Sequence, residues 1–204
     1  MLFVLAAAVA LAVALVTVQA QGTKPPPAGQ LAPNFTLPNQ NGAPISLSQY
    51  KGQWVVVYFY PKDGGTGSTL EAKNFEADIP KYAKWKGVVL GISGDTVQSH
   101  KKFATAAGIH FSLLADTSHT VDAAYGSLGS HAGGPVAQRN TFLIGPDGKI
   151  DKVWTTVNPA THHTDVYNEL SVKPPIVNVE HAPLGARQAA PSPQEQGVKP
   201  PIIH

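Results

Sequence analysis

Cysteine is absent from all 204 residues. That excludes disulfides, thiolate metal ligation and every reaction whose nucleophile is a protein thiol, and it leaves the redox compartment undecided. Charge is also scarce: 15 Lys and Arg against 13 Asp and Glu give a net +2, spread thinly rather than in runs. The chain therefore lacks the basic stripe that holds a polyanion, and no nucleic-acid partner is expected. None of the eight histidines stands four residues from another, and H-E-x-x-H does not occur, so no metal and no cofactor is expected. His100, His110, His119, His131 and the adjacent His162 and His163 are expected in surface or hydrogen-bonded structural roles.

What is present begins with Leu2 to Val18, an almost unbroken Ala/Val/Leu run followed by Val18-Gln19-Ala20, a small-residue cleavage pattern. Residues 1–20 are expected to be a signal peptide, making the protein exported, either periplasmic or secreted. The alternatives are a retained membrane anchor, since the run approaches spanning length without a Lys/Arg n-region, and organelle targeting from an upstream start. Residues 21–30, with Lys24-Pro25-Pro26-Pro27, are expected to be an extended spacer. Residues 171–204 hold seven of the eighteen prolines and repeat Val-Lys-Pro-Pro-Ile at 172–176 and 198–202. Such a segment cannot build a core of its own and is expected as a disordered tail, with a polyproline-type ligand for an unknown partner as the alternative.

Residues 31–170 alternate in type, as an α/β sheet with crossover helices requires. Gln53–Tyr60 is a β-branched and aromatic run suited to a buried central strand, and Val88–Ser93 is a second. Asp95 and Thr96 are N-cap choices for a helix over Val97–Ala107, which Gly108 stops. Phe111–Ala115 is a short strand. Asn140–Gly145 and Ile150–Thr156 form a hairpin around Pro146-Asp147-Gly148, and Thr164–Leu170 is a closing helix. Trp54, Trp85 and Trp154 lie in or beside these elements as packing residues.

Five stretches recur in order: Ala32-Pro33-Asn34-Phe35-Thr36-Leu37; Ser46-Leu47-Ser48 with Lys51-Gly52; Tyr58-Phe59-Tyr60-Pro61-Lys62-Asp63; Gly91-Ile92-Ser93-Gly94-Asp95 with Ser99-His100-Lys101-Lys102-Phe103; and Arg139 to Ile144 with Pro146 to Ile150. Together they resemble the peroxiredoxins, of the bacterioferritin-comigratory or Q type. The resemblance implies a thioredoxin-like fold, a central mixed sheet flanked by helices with an N-terminal hairpin. It also implies a peroxide-reducing site where the strand ending at Pro61 meets the next helix, served by a thioredoxin-like reductant.

The departures fall on the chemistry. By resemblance, Gly65 stands where the family carries threonine, Ser68 where it carries the peroxidatic cysteine, and Lys73 where many Q-type members carry the resolving cysteine. Pro61, Glu71 and Arg139 are retained. A serine hydroxyl is not ionised at neutral pH, and its attack on a peroxide oxygen would only make another peroxide, not a recyclable sulfenic acid. The expectation is a protein of thiol-peroxidase and antioxidant ancestry, catalytically silent and serving as a binding or structural module. The alternative is a working thioredoxin-dependent peroxidase acting on hydrogen peroxide and organic hydroperoxides, if the natural allele or a partner supplies the cysteine.

Ser68-Thr69-Leu70-Glu71 also fits a capping box, with Ser68 as N-cap and Glu71 reaching back. A serine-hydrolase reading lacks the Gly-x-Ser-x-Gly spacing, and the glycine run 64–67 lacks a P-loop lysine. A helix N-terminus beside Arg139 does make a small anion pocket, for a carboxylate or sulfate at Ser68 and Arg139. The sequence leaves a monomer or a dimer open.

Overall fold

A computed structural model describes residues 24–131 and 134–176. Its centre is a five-stranded sheet of order β5-β4-β3-β8-β9, formed by β3 (Val55–Phe59), β4 (Val88–Ser93), β5 (Ser112–Ala115), β8 (Thr141–Ile144) and β9 (Ile150–Trp154). The first three run parallel, while β8 and β9 are antiparallel to their neighbours. A hairpin of β1 (Thr36–Pro38) and β2 (Pro44–Ser46) precedes them, as the resemblance implied.

The strand β3 is buried along its whole length because both faces of the sheet are covered, which is why its sequence is apolar throughout rather than alternating. Val55, Val57 and Phe59 pack with Phe35, Leu90, Ile92, Tyr125 and Phe142 on one face. Trp54, Val56, Tyr58 and Tyr60 face the other way, against Ala72 and Phe75 of α1 (Thr66–Asp78), Phe103 of α2 (Val97–Ala107), and Val166 and Leu170 of α4 (His162–Ser171). The α2 boundaries follow the sequence: the Thr96 side chain accepts from the Ser99 N–H, and Gly108 ends the helix at φ +69.

Several features depart from the sequence expectations. α4 starts at His162 rather than Thr164, and β9 ends at Trp154. A short α3 (Thr120–Ala124) and a hairpin of β6 (Leu128–His131) and β7 (Gly134–Ala137) were not expected. The part of the 21–30 spacer that is described lies against the domain: Pro26 is buried, the Gly29 N–H donates to Ile150 O, and the Ile150 N–H donates to Gln30 O. The first residues of the 171–204 tail are also docked, with the Ile176 N–H donating to Lys84 O. The expected signal peptide and the rest of the tail lie outside the described residues. No helix among the described residues is long and apolar enough to cross a membrane.

Candidate functional site

The chain leaves β3 through Tyr60 and Pro61, turns over residues 62–65 and enters α1. Asp63 fixes that turn. Its N–H donates to Asp95 Oδ2 (2.7 Å), and its carboxylate accepts from Tyr60 OH (2.8 Å) and Ser99 Oγ (2.7 Å) and lies 2.9 Å from His100 Nδ1. Burial alone would raise this carboxyl, but the contacts to His100, Ser99 and Tyr60 outweigh it and hold it below the ordinary value. Two of the five quoted motif stretches therefore meet in one network, whose members the sequence matched without revealing that they touch.

Gly64 takes φ +69 and Gly65 is the helix N-cap, in extended conformation, with no side-chain cap and no acidic residue in the first turn. The capping-box reading is thus corrected. Gly65 O accepts the Thr69 N–H (2.8 Å), so the helix starts before Ser68, which becomes its third residue with only 1% of its surface exposed. Glu71 does not reach back to the backbone. Its Oε2 accepts from Arg139 Nη1 at 2.7 Å, while Arg139 Nη2 donates to Ser68 Oγ at 3.2 Å.

Arg139 arrives from the connection between β7 and β8, held by the Val157 N–H on its carbonyl. It crosses α1 at Gly67, where a Cβ would stand 2.9 Å from Nη2 and 3.3 Å from Pro159 Cγ. Glu71 is 1% exposed and its other oxygen, Oε1, has no partner. Burial raises its carboxyl to about 7, against the opposing pull of Arg139. Ser68, Gly65, Glu71 and Arg139 come together here. Pro61 sits at the head of the turn and lines a cleft with Lys62, His131, Pro135 and Val136, whereas Lys73 points to solvent.

This geometry limits the chemistry. Ser68 Oγ is paired with a guanidinium, which donates only and cannot take a proton, and the nearby Glu71 carboxylate is bonded to Arg139 rather than to Ser68, so the nucleophile–base hydrogen bond of a serine nucleophile is not formed. The Arg139 side chain remains 20% exposed beside an uncapped helix start, an arrangement that favours negative charge. Among the described residues no group of three His, Asp or Glu side chains could hold a metal.

One histidine departs from the expected roles. His162 is fully buried between the rings of Phe75 and Trp154, and neither ring nitrogen has a hydrogen-bond partner. Burial pushes it down to about 4. His100 is hydrogen-bonded as expected.

The sequence model of the AhpC/TSA family matches residues 28–153. A peroxiredoxin bcp of Coxiella burnetii is 40% identical over 148 residues, covering 70% of this chain and 97% of the relative. Peroxiredoxin Bcp of Bacillus subtilis is 34% identical, covering 70% and 93%. Among solved structures, a cysteine-to-serine mutant of Xylella fastidiosa PrxQ superposes with TM-score 0.65 at 30% identity, covering 70% of this chain and 95% of its own. The Xanthomonas campestris bacterioferritin comigratory protein, studied for alkyl peroxide reduction, gives 0.63 at 33% identity, with 67% and 90% covered.

Proposed function

The chain belongs to the AhpC/TSA family, among the Bcp/PrxQ peroxiredoxins, and on that premise we propose that it has kept the scaffold and lost the peroxide chemistry. The observation that carries this reading is the absence of cysteine from the sequence, with a buried, Arg139-bound serine at the start of α1. Peroxide reduction by a thiol transfers one oxygen. The thiolate sulfur attacks one peroxide oxygen, the O–O bond breaks, hydroxide or alkoxide leaves, and the sulfur ends as a sulfenic acid that thiols reduce. Ser68 can start no such sequence. Family members typically draw on thioredoxin-like reductants, and here there is no sulfenic acid for one to reduce.

The role that remains is binding. Arg139 and the uncapped first turn of α1 suit a small anion such as a carboxylate or sulfate, in the place where a peroxidatic thiolate would otherwise sit. We place the protein outside the cytoplasm on the strength of the apolar run Leu2–Val18 and its cleavage pattern. The test is hydrogen peroxide consumption by the intact chain, with and without thioredoxin and dithiothreitol. The expected rate equals that of the protein-free control; turnover above that rate would overturn the reading.

A further inference from the structure

The pentapeptide Val172-Lys173-Pro174-Pro175-Ile176 follows α4 and is seated on the domain at three points. Lys173 Nζ lies 2.6 Å from Asp151 Oδ2 on β9 and 2.7 Å from Glu169 Oε1 on α4. Its carbonyl accepts the indole N–H of the buried Trp85 at 3.0 Å. Ile176 packs on the cluster that contains Trp54, Tyr82 and Trp85, and its N–H donates to Lys84 O at 3.1 Å. Pro174 and Pro175 are exposed. They act as a stiff spacer, since each fixes φ and holds the segment extended at little entropic cost.

The same five residues return as Val198-Lys199-Pro200-Pro201-Ile202. Every feature the face recognises is repeated: a cation for two carboxylates, a carbonyl for the indole, a diproline spacer and an apolar residue with a free N–H. We infer that Val198–Ile202 is a second, interchangeable occupant of the face formed by Lys84, Trp85, Asp151 and Glu169. The connection from Ile176 to Val198 has a mean span of roughly 25 Å if flexible, which keeps the second copy near the face at an effective concentration in the millimolar range. The first copy holds the face in the intact chain because it is continuous with α4, with the Lys173 N–H donating to Leu170 O. When it is lifted, Asp151 and the Trp85 N–H lose their partners and Glu169 keeps only Lys152, at 3.8 Å, and the second copy replaces each lost contact. The C-terminal segment thus stays moored whichever copy is engaged.

Amide and indole hydrogen exchange of the full-length chain tests this. In Lys173→Ala/Ile176→Pro, which removes the cation and the N–H donor of the first copy, the Ile202 amide is expected to exchange at least about tenfold more slowly than in the intact chain. The Trp85 indole N–H should stay protected. Adding Lys199→Ala and Ile202→Pro should release the indole, and the free peptide of residues 198–204 should restore its protection in that fourfold variant. An unchanged Ile202 amide would overturn the inference, as would an indole equally exposed in the double and fourfold variants. Protection that appears only as protein concentration rises would assign the occupant to another chain and overturn it too. Unaltered exchange of the Val57 amide in β3 verifies that each variant is folded.

Discussion

Arg139 and Glu71 form an ion pair of 2.7 Å in which the carboxylate is buried and the guanidinium is partly in water. The pair is asymmetric, because burial raises the Glu71 carboxyl to about 7 even though a cation touches it. Arg139 is therefore only partly neutralised near neutral pH, which leaves charge to share with Ser68 and with an anion at the start of α1.

A pH dependence of stability follows. The folded carboxyl, at about 7 against an ordinary value of 4.5, binds a proton more readily than the unfolded one. Its contribution is fully present below about pH 4.5 and is lost as pH rises through 7, in total on the order of 3 kcal/mol. Urea midpoints from pH 5 to 8 should fall less steeply for Glu71→Gln than for the wild type. Parallel slopes would show that Glu71 titrates at its ordinary value.

His162 carries the opposite sign. Its ring is pushed down to about 4 by burial, so the unfolded chain takes up a proton between about pH 6.5 and 4 while the folded one does not, and stability is lost on acidification. His162→Phe keeps the contacts with Phe75 and Trp154 and removes that proton. It should gain about 2 kcal/mol relative to the wild type at pH 5 and little at pH 7.5. A gain of the same size at both pH values would assign it to packing alone.

Gly67→Ala separates helix stability from the site. A Cβ there meets Arg139 Nη2 at 2.9 Å, the far end of a flexible side chain that can swing away. Helix propensity gains up to ~1 kcal/mol, which offsets about 1 kcal/mol for a lost hydrogen bond. The melting temperature should barely move, while binding of sulfate or acetate weakens several-fold by calorimetry. Unchanged anion binding would place the anion away from Arg139.

Legibility in the sequence followed locality. β3 could be read because burial on both faces makes a continuous apolar run, α2 because Thr96 and Gly108 mark its ends, and the β8–β9 hairpin because Pro146-Asp147-Gly148 turns it. The β6–β7 hairpin was hidden, since Leu-Gly-Ser-His and Gly-Pro-Val-Ala carry neither alternation nor β-branched density. At the site the residue types were legible and their partners were not. Ser68 and Glu71 match a local capping box, but Arg139, distant in sequence, takes both side chains, and the N-cap position falls to Gly65, which has no side chain to cap with. Trp85, which holds the carbonyl of Lys173, and the aromatic box around His162 are equally long-range.

If the scaffold is intact and only the reacting groups are gone, restoring those groups should restore chemistry, and the initial rate of hydrogen peroxide reduction under excess dithiothreitol measures it. Three proteins are compared: the wild type, Ser68→Cys, and Gly65→Thr/Ser68→Cys. The site has room for the change, because a Cβ on Gly65 meets nothing nearer than Ser68 Oγ at 3.5 Å and its extended N-cap backbone suits threonine. Arg139 already touches residue 68. A polarising hydroxyl that acts in the transition state contributes a few kcal/mol, roughly two orders of magnitude in rate. No reduction is expected from the wild type, slow reduction from Ser68→Cys and a rate about a hundredfold higher from the double variant. Reduction by the wild type, or a double variant as inert as the wild type while folded, would contradict that premise.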